Sequence, residues 1–131
     1  RELMITALIR GRLCELLAPS AGMESRKSEL FLMGLFSLLD AILEQPMKTL
    51  LEEIPLAADV RSALLGEPSG SPVARLHNLL EAYERGQWDA TTRLSAQLGI
   101  DETALPALYV DAVAWAEECS VQHAQTTPVT R

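Results

Sequence analysis

Two histidines, two cysteines and one isolated aspartate are the side chains whose type and position could do chemistry in this chain. Metal-dependent hydrolysis needs several His, Asp or Glu ligands converging on one point. His77 falls in the middle of a helical segment and His123 in a polar tail, and neither neighbours an aspartate. The sequence therefore offers no metal ligand set. A cysteine nucleophile needs an adjacent base. Cys14 and Cys119 instead sit among apolar residues on helical segments, where a thiol behaves as a small hydrophobe. Neither GxxxxGK(S/T) nor GxGxxG occurs, and no arginines cluster with the spacing of a nucleotide clamp. The expectation is a chain with no catalytic residue, no cofactor site and no metal.

Asp40 is the sole charge in the apolar run from Leu30 to Leu43. A lone buried carboxylate is costly, so Asp40 either points out at a helix edge or meets a hydrogen-bonding partner. Tyr83 and Trp88 flank Gly86 in the turn AYERGQWDA and are expected to form a structural clasp between two helices. If the Trp88 ring is buried, its removal should cost about 3 kcal/mol or more. The turn alone resembles one tetratricopeptide unit, but no second copy follows at that array's period of about 34 residues.

The elements that must position these residues are helical throughout. Apolar residues recur at three- and four-residue spacings, and strand-like alternation is absent. The pattern predicts helices at about Glu2–Ala18, Ser28–Glu44, Pro46–Ile54, Ala57–Leu65, Val73–Arg85, Trp88–Leu98 and from Asp101 or Leu105 to Cys119. Ser28 is the expected cap of the second helix, which is apolar on nearly every side and reads as the buried centre. The prediction is one all-α compact bundle of six to seven helices over residues 1–119. A polar, flexible tail follows at 120–131, and the loop Glu67–Pro72 is the candidate internal boundary.

The 131 residues are enough to bury roughly two-thirds of the surface of the unfolded chain. Eleven basic and eighteen acidic side chains give a net charge of −7, which opposes binding to nucleic acid or an anionic membrane. No apolar run reaches the ~18 residues of a membrane span. Two cysteines far apart fit reduced thiols in a cytoplasmic protein. The chain opens inside a periodic segment without Met, as a piece of a longer protein would.

Four segments in order carry a family resemblance: RELMITALIRGRLCELLA, FLMGLFSLLDAILEQPMKTLLEEIPL, AYERGQWDA and LYVDAVAWAEE. Together, over residues 1 to 118, they resemble the C-terminal part of the HDOD domain, the HD-related output domain found behind cyclic di-GMP phosphodiesterase-like EAL domains. The resemblance implies a fold related to the HD-domain superfamily and a non-catalytic regulatory role in bacterial signal transduction. An active HD phosphohydrolase would carry a ligand His near Thr6 and its His-Asp pair near Ser37-Leu38. Thr, Ser and Leu at those places disfavour that alternative. The resemblance also puts the family's N-terminal half, and any EAL domain, upstream. The first helix is then expected to present Leu3, Ile5, Leu8 and Ile9 to a protein partner, to an upstream domain of the same chain, or to a second copy in a homodimer.

Overall fold

In the computed structural model, the backbone of residues 2–126 and the side chains of residues 2–121 are described. The fold is organised by two glycines that face each other. The first helix, α1 (Glu2–Leu17), crosses α2 (Lys27–Phe36) where Gly11 meets Gly34. A Cβ on Gly34 would lie 2.5 Å from the Arg10 carbonyl oxygen and 2.7 Å from the Gly11 nitrogen. The two backbones touch here with no side chain between them, an approach that only glycine permits. Around the crossing, Ile9, Leu13, Cys14 and Leu17 of α1 meet Leu30 and Met33 of α2 in the core. Each such fully buried aliphatic side chain stabilises the fold by roughly 1.5–3 kcal/mol.

The remaining helices are α3 (Leu39–Leu43), α4 (Met47–Leu51), α5 (Ala58–Leu64), α6 (Pro72–Glu84), α7 (Trp88–Leu98) and α8 (Leu105–Thr126). The chain is all-α, with eight α-helices and two 3-10 turns among the described residues. Helix α8 packs on α1 through the small buried residues Ala112 and Ala116. Helix α6 packs on α5 and α7, and buries Val73, Leu76, Leu79 and Leu80. Val60 and Ala63, before the Glu67–Pro72 loop, lie in one core with Val73 and Leu76 beyond it.

Several boundaries differ from those expected. The second segment splits in two, because the Ser37 hydroxyl donates to the Gly34 carbonyl at 2.6 Å. The Ser37 amide bonds the same oxygen, so the i→i−4 ladder stops and α3 restarts at a new angle. This segment is also not the buried centre: α2 buries only Leu30, Met33 and Gly34, and α3 buries none of its residues. Ser28 does not cap α2. A 3-10 turn, Glu24–Arg26, leads in, and Arg26 anchors it by pairing with both Glu29 and Asp59.

Helix α4 ends at Leu51 instead of Ile54, and Arg61 of α5 donates to the freed carbonyls of both residues at 2.6 and 2.7 Å. Helix α8 continues past Cys119 to Thr126, because no helix-breaking residue intervenes before Pro128. Residues 127–131 of the expected tail, and the His123 side chain, lie outside the described residues. Helices α6 and α7 end as their glycines predict, with Gly86 at φ +69° and Gly99 at φ +78°.

Candidate functional site

Where α1, the end of α2 and α6 meet, one cation of α1 is held by Ser37, which follows α2, and by Glu84 of α6. Arg10 stands in an otherwise apolar turn of α1, with a side chain only 15 % exposed. Its Nε and Nη2 donate to the Glu84 carboxylate at 2.6–3.1 Å, a fork-to-fork pairing. Its Nη1 donates to Ser37 Oγ at 3.0 Å, and the Ser37 hydroxyl donates in turn to the Gly34 carbonyl. Burial works to lower the Arg10 pKa, but the Glu84 hydrogen bond and charge outweigh it and hold the guanidinium firmly charged. Glu84 is the last residue of α6, where a carboxylate opposes the helix dipole, and Arg10 offsets that cost.

A small cavity of about 10 Å³ lies beside this network, lined by Arg10, Cys14, Gly34, Ser37, His77, Leu80 and Glu81. It has room for about one water molecule. Burial pushes the Cys14 thiol up to about 12, only partly countered by Arg10, so the group is not a thiolate nucleophile. Burial also lowers the pKa of the half-buried His77, and Arg10 adds to this while Glu81 opposes it. Outside the cavity, Ser37, Asp40, His77, Asn78 and Glu81 open onto a groove of about 550 Å³. Asp40 faces out at the start of α3 and accepts the Ala41 amide at 2.8 Å, the helix-edge alternative.

Thr6 lies half-buried one turn before Arg10, and Leu38 lies half-buried at the break between α2 and α3. Of the three positions where ligands were considered, Ser37 alone enters the network. On α1, Leu3 is 43 % exposed and the neighbouring Met4 48 %. Ile5 and Leu8 are half-buried against the core, and Ile9 is core. Ile9 therefore cannot belong to an open face, because its stripe of α1 meets the rest of the bundle. Tyr83 and Trp88 meet edge to face with centroids 5.9 Å apart, and Tyr109 of α8 joins at 5.5 Å. The Trp88 ring is 60 % exposed, so the condition for a large stability loss is not met. Cys119 is half-buried.

Arg10 and Glu84 were not among the residues singled out from the sequence. Arg10 stands two residues before Arg12, so the local sequence does not single it out, and its partner is 74 residues away. Among the described residues no three His, Cys, Asp or Glu side chains are grouped to hold a metal ion, and no helix is long and apolar enough to cross a membrane.

Comparison with known proteins finds relatives for most of the chain. It is 32 % identical over 118 residues to the cyclic di-GMP phosphodiesterase CdgJ of Vibrio cholerae, an alignment covering 90 % of this chain and 27 % of that protein. It is also 32 % identical over 114 residues to the uncharacterized protein YuxH of Bacillus subtilis, covering 87 % of this chain and 27 % of YuxH. The chain is thus homologous to a segment of each and spans about a quarter of their length. No family model and no solved structure matches it.

Proposed function

We propose that this chain is a non-catalytic output domain of the HDOD type in bacterial cyclic di-GMP signalling, working through contact with a protein partner or another domain. Homology to a segment of a cyclic di-GMP phosphodiesterase supports the signalling setting. The four sequence segments quoted above support the HDOD type. The observation that carries the non-catalytic reading is Arg10. At Ser37, where an HD enzyme would place its metal-binding pair, this chain holds a hydrogen-bonded guanidinium. That guanidinium, paired with Glu84, occupies the Ser37 hydroxyl that would otherwise face a metal, and it offers a cation no lone pair. Contact with a partner is assigned to the open end of α1, where Leu3 and Met4 stand side by side in solvent.

Two measurements test this. Purified chain incubated with manganese or magnesium and either cyclic di-GMP or an aryl phosphodiester should release no product above the buffer rate. Turnover that disappears on adding chelator would overturn the non-catalytic reading. The double variant Leu3→Glu/Met4→Glu should melt like the parent yet lose association with itself or with the remainder of a relative such as CdgJ. Unchanged association would remove α1 as the contact.

A further inference from the structure

We infer that the groove between α6 and α7 is a binding site for a phosphate-class oxyanion carried by a small molecule. The groove encloses about 250 Å³ and is lined by Asn78, Glu81, Ala82 and Arg85 from α6 and its cap, by Gln87, and by Ala90, Arg93 and Leu94 from α7. Its floor is apolar and fixed, since Ala82 and Leu94 are core residues. Its polar lining holds two guanidiniums, two carboxamides and one carboxylate, Glu81.

The pairing of the arginines sets this groove apart. Seven arginines lie among the described residues. Arg10, Arg12 and Arg26 are each matched to a carboxylate, and Arg61 to two backbone carbonyls. Of the three that have neither kind of partner, Arg85 and Arg93 line this one groove. In a chain with net charge −7, two guanidiniums that line one groove and are matched to no carboxylate run against the average. The lining also includes the Glu81 carboxylate, which lies in the field of Arg10.

The chemistry of the rim selects the ligand. One carboxylate has two oxygens and is filled by one guanidinium fork. Two forks plus two carboxamide NH2 groups supply more donors than that. They suit the three terminal oxygens and −1.5 to −2 charge of a phosphoryl group. The turn between Arg85 and Arg93 is fixed by backbone bonds: Gln87 N donates to Ala82 O at 2.9 Å and Gly86 N to Tyr83 O at 3.2 Å, with Gly86 left-handed. The eight-residue separation of the arginines hides this juxtaposition in the sequence. The inference stands independently of the proposed signalling role.

Arg85 and Arg93 are exposed, so their substitution leaves the core intact. Titrating the isotope-labelled chain with inorganic phosphate, pyrophosphate and AMP should move the Nε–Hε signals of Arg85 and Arg93 saturably, with affinities of about 1 mM or tighter. Arg85→Gln and Arg93→Gln should each weaken binding about tenfold, the loss of a charge-assisted contact. Arg75→Gln, the remaining unpaired arginine, should leave it unchanged. Equal affinity for phosphate and AMP assigns the free oxyanion, and tighter AMP binding assigns the ester; both support the site. Signals that do not saturate, or an equal loss in Arg75→Gln, would reduce the effect to general charge screening and overturn it.

Discussion

Arg10 and Glu84, 74 residues apart, are joined by three hydrogen bonds of 2.6–3.1 Å with side chains only 15 % and 20 % exposed. The pair fastens the middle of α1 to the end of α6. Glu84→Gln should lower stability by about 1–3 kcal/mol, because it strips a half-buried guanidinium of its counter-charge. Arg10→Met with Glu84→Leu should cost less than the two single changes added together. Urea unfolding of Glu84→Gln, Arg10→Met, Glu84→Leu and the double variant measures both. Simple additivity would mean the pair is not coupled.

Gly34→Ala is expected to be among the most damaging single-methyl changes in the chain. The added carbon would meet backbone atoms of Arg10 and Gly11, which cannot rotate away as a flexible side chain can. Separating the helices should destabilise by about 3 kcal/mol. Calorimetry of Gly34→Ala beside Gly70→Ala supplies the contrast, since a Cβ on Gly70 would meet only Arg75 Nη2, at 3.7 Å.

Acid should weaken the fold through His77. Its pKa in the folded state lies below the ordinary 6.5, chiefly because it is buried. Between those two values the unfolded chain binds more protons on this residue, so stability falls as pH drops through that window. Above 6.5 the imidazole is neutral in both states and full stability is present. Below the folded pKa the loss levels off. In His77→Gln the slope of melting temperature against pH across this window should be shallower than in the parent.

Trp88→Ala should cost about 1 kcal/mol, the worth of an edge-to-face aromatic contact, since most of the ring is in solvent. Tyr83→Ala should cost more, because Tyr83 packs against the core and touches both Trp88 and Tyr109. Denaturation midpoints that rank the two in the opposite order would place the centre of the clasp at Trp88.

The helices were legible because their punctuation is local. Gly86 and Gly99 mark α6 and α7 by a backbone conformation the residue itself allows, and Leu105 opens α8 as Pro106 requires. The break at Ser37 was not legible. Ser37 sits in an apolar run that satisfies helical periodicity on both sides, and only its hydroxyl bond to Gly34 decides the outcome. The Arg10 network and the Arg85–Arg93 groove escaped for a related reason. Each joins residues that the fold brings together, and single-chain periodicity reports which face a residue takes, not what it will find there. The open end of α1 was half legible: an excess of apolar residues is visible in its sequence, but their order does not tell Leu3 from Ile9.

The Gly11–Gly34 crossing also governs how α1 can move. Most helix pairs are separated by a layer of side chains whose rotamers let one helix slide or roll on the other. Here the layer is missing, and the two backbones form a hard fulcrum. Leu3 lies eight residues from it, about 12 Å along the helix axis. On the proposed contact, a load at Leu3 and Met4 would act on a stiff arm and tilt α1 as a unit. Arg10, next to the fulcrum, would then shift least and keep its bond to Glu84. The displacement would emerge at the far end, where Leu17 and Ala18 lead into the turn before α2.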